Sequence, residues 1–232
     1  MRKVYQMLSN PLGWLFPARC LVCGNPGQLG QDLCRACHTA LPWLEHACER
    51  CALPLPEHGV CGACLQHPSP LDAVHAAFDY RFPVDRLLPR LKFHRDFAAG
   101  RMLSQCVAAH FSSFPRPDAL VPLPLHQLRL RSRGYNQALE LAKPIAKVLQ
   151  IPLQHGLLVR RRATAAQSTL DAHTRQRNLR GAFALHPKAR LPKRVVLFDD
   201  VMTTGATLHA AAQTLRQAGV HHVEAWVCAR VA

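Results

Sequence analysis

Two kinds of hydrophobic pattern alternate along the chain after residue 67. Short apolar runs predict strands, and they cover residues 73–81, 118–123, 157–159, 194–198 and 222–228. Between them, apolar residues that recur every three or four positions predict helices over 84–91, 97–110, 136–149 and 206–218, with a bend or restart at Pro144. Strands that alternate with helices predict an α/β fold, with a mostly parallel sheet and flanking helices on both faces.

The first 66 residues follow neither pattern and are rich in cysteine. Eight of the ten cysteines fall there as four CxxC pairs, which are Cys20/Cys23, Cys34/Cys37, Cys48/Cys51 and Cys61/Cys64. Two residues between thiols let a tight turn point both sulfurs at one ion, and two such turns complete a tetrahedral site of four thiolates. The spacing therefore predicts two structural Zn²⁺ sites. Neighbouring pairs combined in order are the favoured arrangement, and an interleaved pairing is the alternative. A disulfide framework is the competing interpretation, but no secretory signal accompanies the cysteines.

Composition and charge add a boundary and a class of partner. A Pro-rich connector at residues 66–71 divides the chain into residues 1–66, with the double zinc ribbon, and residues 67–232, with the α/β domain. Residues 67–232 hold 24 Lys and Arg against ten Asp and Glu, so they carry +14 of the total charge of +15. This charge favours polyanionic partners, such as phosphorylated small molecules or nucleic acid. No apolar run approaches the roughly 18 residues that a membrane span needs, and we expect a cytoplasmic protein.

The segment with the most distinctive chemistry is 194–208, RVVLFDDVMTTGATL. An apolar strand ends here in two acids and runs through Thr-Thr-Gly into a helix. Ligands of open α/β sheets bind at the carboxyl ends of the strands, so this turn should face a crevice. Threonine hydroxyls, a glycine that permits close approach and the N–H groups of a helix start suit a phosphate. Two adjacent carboxylates can accept hydrogen bonds from a vicinal diol, as on ribose, and stabilise positive charge that develops on the sugar.

This segment resembles the binding motif for phosphoribosyl diphosphate (PRPP) of type I phosphoribosyltransferases, in which hydrophobic residues precede two acids and a Thr-Thr-Gly-x-Thr turn. The resemblance implies that Asp199 and Asp200 hold the ribose hydroxyls and take part in catalysis. It also implies a binding turn for the 5′-phosphate, made of Val201, Met202, Thr203, Thr204, Gly205, Ala206 and Thr207. The implied reaction is substitution of diphosphate at the anomeric carbon of PRPP, with Mg²⁺ bridging diphosphate and ribose oxygens.

Other segments extend the resemblance over nearly the whole chain. They are residues 121–125 (VPLPL), 131–137 (RSRGYNQ), 167–170 (QSTL) and 175–183 (RQRNLRGAF). Together with the cysteine pairs, they are similar to the ComF/GntX family, which joins a Cys-rich zinc module to a phosphoribosyltransferase domain. That family is associated with natural competence and the use of imported DNA. The resemblance therefore implies PRPP as a ligand, with single-stranded DNA and a DNA-processing protein as further partners.

Basic residues near these motifs are candidates for binding the diphosphate. The loop at 123–126 follows a predicted strand where related enzymes bind diphosphate, and Arg131 and Arg133 come soon after it. Residues 160–180 hold six arginines, among them Arg175, and resemble a flap that closes over the diphosphate. A solvated basic face is the alternative interpretation of these arginines. Lys92 and Arg95 are secondary candidates.

Three functions are compatible with these features. The first is an enzyme that transfers the phosphoribosyl group to an acceptor. The second is a sensor that binds PRPP or a nucleotide without turnover. The third is an accessory protein that binds single-stranded DNA, for which base-stacking aromatics would be expected. Only Phe93 and Tyr135 are placed near the basic stretches, and both could be core residues. No hood specific for a base is recognisable, so the acceptor stays open.

Overall fold

A computed structural model describes residues 17–162 and 181–232. In these ranges the main sheet has four strands, all parallel, in the order β1-β6-β5-β2. Its strands are β1 (Val74–Asp79), β2 (Ala119–Pro122), β5 (Arg194–Met202) and β6 (His222–Arg230). Two further strands, β3 (Leu158–Arg160) and β4 (Phe183–Leu185), pair antiparallel with each other.

The described helices are α1 (Arg35–Thr39), α2 (Gly62–Gln66), α3 (Val84–His94), α4 (Phe97–Phe111), α5 (Gln127–Arg133), α6 (Gln137–Leu149) and α7 (Ala206–Gln217). The four longest of them, α3, α4, α6 and α7, cover the two faces of the main sheet. Alternate side chains of a strand point to opposite faces, and β5 shows this clearly. Val196 and Phe198 join a core with α3, α4 and α6, whereas Val195 and Leu197 join a second core with α7 and the β3–β4 pair. Within the described ranges, none of the helices has the length and apolar content to cross a membrane.

The larger of the two cores is built around Trp226 of β6. Its indole is almost completely buried and stacks on the ring of Phe111 from α4, with centroids 4.4 Å apart and planes 10° from parallel. Phe78 of β1 and Phe198 of β5 are fully buried in the same core. These aromatic residues hold α4 against three neighbouring strands, and so they fix the sheet whose carboxyl edge carries the candidate site.

The predicted α/β fold, with its parallel sheet and flanking helices, is confirmed, and so is the four-cysteine module before it. In the α/β domain, two short elements were not predicted: helix α5 and strand β4. The main difference in bounds concerns β5, which was expected to end at Phe198 and continues to Met202. Strand pairing uses backbone N–H and C=O groups, so it can continue past the apolar side chains. Val201 and Met202 therefore still pair with Ala229 and Arg230 of β6. The two acids therefore lie within the last residues of a strand and not in a loop.

The cysteine-rich segment is docked on the edge of the sheet at β1. The N–H of Leu44 donates to the carbonyl of Ala77 (3.0 Å), and the N–H of Val74 donates to the carbonyl of Glu49 (3.1 Å). The Trp43 ring packs against Phe78, with centroids 4.7 Å apart. Backbone and side-chain contacts thus cover an edge that would otherwise offer unpaired strand groups.

Candidate functional site

The turn that follows β5 depends on Gly205. This residue has φ +75°, and a Cβ atom there would lie 2.4 Å from Cε of Met202. The left-handed backbone favours glycine at this position, and a Cβ atom would also displace the flexible end of the Met202 side chain. Thr203 and Thr204 are exposed before it, and α7 begins directly after it. The result is an open turn with two hydroxyls at the N-terminus of a twelve-residue helix, which is a suitable place for an anion.

The two carboxylates lie just before this turn and have different surroundings. Asp200 is buried, and its N–H donates to Oδ1 of Asp199 at 2.9 Å. Oδ2 of Asp200 lies 3.8 Å from Nζ of Lys92, which comes from the end of α3. Burial, and then the neighbouring charge of Asp200, raise the pKa of Asp199 well above its ordinary value. These surroundings favour the protonated form of Asp199, and a cationic ligand in contact with both carboxyl groups would favour its ionised form.

A group of basic and aromatic side chains borders the carboxylates. Lys92 contacts Asp200, as above, and its ammonium lies 5.8 Å from the ring centroid of Phe93. The guanidinium of Arg133, from α5, lies 5.7 Å from the same ring centroid. Arg133 also donates to Oε1 of Gln137, at the start of α6. The secondary candidate Lys92 is thus a basic residue with a direct contact to the acid pair.

Arg160, at the end of β3, lies close enough to the acid pair to be influenced by it. Burial, and then the charge of Arg129, lower the pKa of Arg160, whereas the charge of Asp199 acts in the opposite direction. Its guanidinium lies 5.5 Å from the ring centroid of Phe183 in β4. The β3–β4 pair therefore holds one arginine of the basic 160–180 segment in a defined place.

The predicted diphosphate ligands differ in their exposure and in whether the structure describes them. Arg131 and Arg133 both lie on α5, where Arg131 is exposed and Arg133 is partly buried against Phe93. Arg175, and with it most of the segment interpreted as a flap, lies outside the described residues. Arg129 was not singled out from the sequence, and its charge lowers the pKa of Arg160.

The eight paired cysteines form two clusters. Cys20, Cys23, Cys34 and Cys37 make one, and Cys48, Cys51, Cys61 and Cys64 make the other, with the sulfur atoms of each set within 4.8 Å of one another. The pairs are therefore combined in sequence order, and the interleaved alternative is excluded. Each cluster sits at the N-terminus of a short helix, α1 or α2, whose preceding residue is Cys34 or Cys61.

The chemistry of both clusters fits zinc. Four thiolates bound to Zn²⁺ at about 2.3 Å in a tetrahedron lie about 3.8 Å from one another. The sulfurs of Cys23 and Cys34 are 3.7 Å apart. Burial alone would raise the pKa of Cys20, but backbone N–H groups lower it to about 6. Burial and the neighbouring sulfurs raise the pKa of Cys37. Four thiols this close together repel one another when they lose their protons. A bound dication offsets that repulsion and stabilises them as thiolates.

The remaining cysteines have a different environment. Cys106 and Cys228 are buried, and burial raises the pKa of Cys106 to about 11 and that of Cys228 well above its ordinary value. Thiols held neutral in this way are poor nucleophiles. Their role is in packing.

Arg230, at the end of β6, joins the second cysteine cluster to the candidate site. Its guanidinium is buried, and Nε donates to the carbonyl of Cys51 at 2.9 Å. Nη1 donates to the carbonyl of Met202 at 3.3 Å and also to that of Val231. One side chain thus ties a cluster cysteine to the last residue of β5. The sequence contained no signal for this contact, because Cys51 and Arg230 are far apart along the chain.

Known proteins match the chain along most of its length. Residues 11–65 match the double zinc ribbon domain family, and residues 136–232 match the phosphoribosyl transferase domain family. DNA utilization protein YhgH of Escherichia coli is 34% identical over 222 residues, which cover 92% of this chain and 97% of that protein. Competence protein F of Haemophilus influenzae is 33% identical over 225 residues, which cover 93% and 98%. Competence protein ComFC of Bacillus subtilis is 28% identical over 199 residues, which cover 82% and 80%.

Proposed function

Because this chain belongs to the family of competence protein F and the DNA utilization proteins, which joins a double zinc ribbon to a phosphoribosyltransferase domain, we propose that it binds PRPP at the carboxyl end of β5. One observation is the main support for PRPP as the ligand: two adjacent carboxylates at the end of β5 precede a turn with glycine at a helix N-terminus. The names of the relatives, competence protein and DNA utilization protein, support a role in competence and the use of DNA, and we propose that this role is the uptake and processing of imported single-stranded DNA. We further propose a domain boundary at residues 66/67 and a cytoplasmic location.

The turn provides the proposed 5′-phosphate site. Thr203 and Thr204 are exposed and offer hydroxyl donors, and Gly205 gives the turn its left-handed backbone. Helix α7 begins at Ala206, and the N–H groups and the dipole of a helix start favour negative charge there. The proposed phosphate site spans residues 201–207.

Asp199 and Asp200 provide the proposed ribose site. Ionised carboxylates accept hydrogen bonds from the 2′- and 3′-hydroxyls, and they stabilise positive charge that develops on the sugar ring. Because burial and Asp200 raise the pKa of Asp199, a positive partner would be needed to favour its ionised form. Mg²⁺ bound between diphosphate and ribose oxygens would supply that charge. Lys92, in contact with Asp200, orients the second carboxylate and balances its charge.

In the proposed reaction, the bond from the anomeric carbon to the diphosphate oxygen breaks, and the electron pair leaves with the diphosphate. The acceptor forms a new bond to the same carbon and loses a proton. Arg131, Arg133 and Arg175 remain the proposed diphosphate ligands, and the partly buried position of Arg133 supports its inclusion. The alternative, a sensor that binds PRPP without turnover, would use the same side chains.

The +14 charge of residues 67–232 favours a second candidate function, binding of single-stranded DNA. Helix α5 carries three arginines within seven residues, and Arg131 among them is exposed. Contacts of arginine with phosphates predict an affinity that falls steeply as salt concentration rises. An affinity that does not change with salt would contradict this candidate.

Calorimetric titration of Mg-PRPP into zinc-loaded protein tests the main proposal. We expect saturable binding in the wild type and its loss in the Asp199→Ala/Asp200→Ala variant. Asp79→Asn is a matched control. Asp79 is the last residue of β1, so it lies at the same carboxyl end of the sheet as the acid pair, and β6 separates β1 from β5. Arg131→Ala/Arg133→Ala should weaken binding. Failure of folded wild-type protein to bind Mg-PRPP would refute the proposal and move the DNA-binding function to first place.

Turnover requires a separate measurement. Release of diphosphate from PRPP in the presence of candidate acceptors would establish an enzyme. Saturable binding with no release for any nucleobase, nucleoside or oligonucleotide acceptor would favour the sensor.

A further inference from the structure

Two adjoining grooves lie at the β2 edge of the main sheet, opposite the edge that the cysteine-rich segment covers. Residues 152–154 run parallel to β2 there. The N–H of Leu120 donates to the carbonyl of Pro152 at 2.9 Å, and the N–H of Gln154 donates to the carbonyl of Leu120 at 3.0 Å. Leu153, in the middle of this segment, borders both grooves. The two grooves therefore form one continuous surface, which we call the β2-edge groove.

Basic side chains and imidazoles line the β2-edge groove. Its first part, of about 510 Å³, is lined by Lys143 and Lys147 of α6. Its second part, of about 290 Å³, is lined by His155, His186, Lys188 and Arg190. All six residues are exposed, and no acidic residue lines either part. Among the described residues, Lys143 alone of the six has an ion-pair partner, Glu140 at 2.7 Å. The positive charge of this surface is thus largely uncompensated, and a polyanion is the partner that it favours.

The floor of the first part is apolar, and this distinguishes between kinds of polyanion. It is formed by Ala146, Ile151, Pro152 and Leu153. A nucleic-acid duplex presents its phosphates at the surface and keeps its bases stacked inside. A single strand also exposes the faces of its bases, which can lie on apolar side chains or on flat rings such as imidazole. A basic border beside an apolar floor therefore favours a single strand.

We propose that the β2-edge groove binds the phosphate backbone of single-stranded DNA. The inference rests on the second candidate function, DNA binding, and gives it a location away from the PRPP site. None of the residues that line the groove is among the proposed PRPP ligands. Leu120, beside the groove, pairs with Val196, three residues before Asp199. At about 3.3 Å per residue, the two places are about 10 Å apart along the strands. DNA and PRPP should therefore bind at the same time.

The test measures the fluorescence anisotropy of a labelled oligothymidylate of about 20 nucleotides with the zinc-loaded full chain. Each phosphate contact with a single strand contributes about −0.7 to the slope of log K against log salt concentration. Lys188→Ala/Arg190→Ala should therefore make the slope shallower by about 1.4 and weaken binding roughly 25-fold at about 0.1 M salt. Arg81→Ala/Arg86→Ala is the matched control, because it removes the same charge from exposed arginines beside β1, at the opposite edge. The control should bind nearly as tightly as the wild type.

Saturating Mg-PRPP at constant ionic strength should leave the affinity for the oligonucleotide unchanged, and an unchanged melting temperature shows that each variant is folded. If Lys188→Ala/Arg190→Ala binds as tightly as the wild type, or if Mg-PRPP displaces the oligonucleotide, the groove is refuted and DNA binding elsewhere on the chain stands.

Two competitors test the class of partner. Tighter binding of the same oligonucleotide annealed to its complement would refute the assignment to single strands. Displacement by poly-glutamate at equal charge would show that the groove accepts an acidic protein segment, and would overturn the assignment to DNA. If the folded wild type does not bind the oligonucleotide at all, the groove and the second candidate function fail together, whereas the PRPP site is decided by its own titration.

Discussion

Replacing Asp199 with asparagine should stabilise the protein while removing a carboxylate of the proposed ribose site. Asparagine has the same shape, and its Oδ1 can still accept the hydrogen bond that the N–H of Asp200 now donates to Asp199. What disappears is a charge that burial and the neighbouring acid both disfavour, as the raised pKa of Asp199 shows. Without ligand, the acid pair is therefore a source of instability, and the substitution relieves it.

The size of the effect follows from the geometry. Two unit charges about 4 Å apart at an effective dielectric constant of about 20 repel each other by about 4 kcal/mol. The ammonium of Lys92, 3.8 Å from Oδ2 of Asp200, offsets part of this repulsion. We therefore expect Asp199→Asn to raise the free energy of unfolding by about 1–3 kcal/mol. At about 2–4 °C per kcal/mol for a chain of this size, the melting temperature should rise by about 2–12 °C.

The gain should depend on pH in a defined direction. The folded state binds a proton at Asp199 more tightly than the unfolded state, where the pKa is about 3.9. The stabilising contribution of the protonated carboxyl is complete below that unfolded value and is lost as pH rises through the higher folded pKa. The advantage of Asp199→Asn over the wild type should therefore be small near pH 5 and larger at pH 8. Differential scanning calorimetry of zinc-loaded proteins across this range measures it.

Asp79→Asn serves as the control for this prediction. Asp79 lies at the end of β1 and pairs with the exposed Arg81 at 3.4 Å, so losing its charge should change the melting temperature little at either pH. A lower melting temperature for Asp199→Asn at pH 8, or a gain that is equal at pH 5 and pH 8, would refute the electrostatic reasoning.

Four further outcomes follow from the same structure. Binding of Mg-PRPP should release protons as Asp199 ionises, so the calorimetric enthalpy should vary with the ionisation enthalpy of the buffer; an invariant enthalpy would contradict this. Elemental analysis should find two zinc ions per wild-type chain and per Cys106→Ser chain, but one in Cys48→Ser; a Cys48→Ser chain with two would count against the second site. Trp226→Ala should lower the free energy of unfolding by about 3–5 kcal/mol in thermal or urea unfolding, whereas Trp226→Phe should cost far less. Arg230→Met should cost about 2–4 kcal/mol, because buried carbonyls lose their donor, and an unchanged melting temperature would show that water replaces it.

The features that could be predicted from the sequence are local ones. The four CxxC pairs lie within 45 consecutive residues, and their short connections favoured the combination of neighbouring pairs, which the two sulfur clusters confirm. The segment around Asp199 is likewise continuous, with an apolar strand, two acids and a glycine turn in order. The parallel sheet was predictable because its buried strands are strongly apolar and alternate with amphipathic helices.

The features that could not be predicted depend on residues distant in the chain or on weak local patterns. The contact of Lys92 with Asp200 joins α3 to β5, and no periodicity indicates it. Helix α5 has no apolar face, since Leu128 and Leu130 are both exposed. Its ends are instead set by the His126 side chain, which accepts from the N–H of Leu128, and by Gly134 with φ +85°. Strand β4 has only three residues, and its partner β3 decides its conformation.

The side chain of Arg230 also determines how far the two parts of this protein can be exchanged. It holds the carbonyl of Cys51 in the second ribbon and the carbonyl of Met202 in the first part of the proposed phosphate site. A chimera that takes its ribbons from one relative and its sheet from another must therefore bring together a ribbon and a β6 that fit around a shared guanidinium. The ribbon module is therefore not an independent unit, and a chimera should transfer it together with β6, the last strand of the chain.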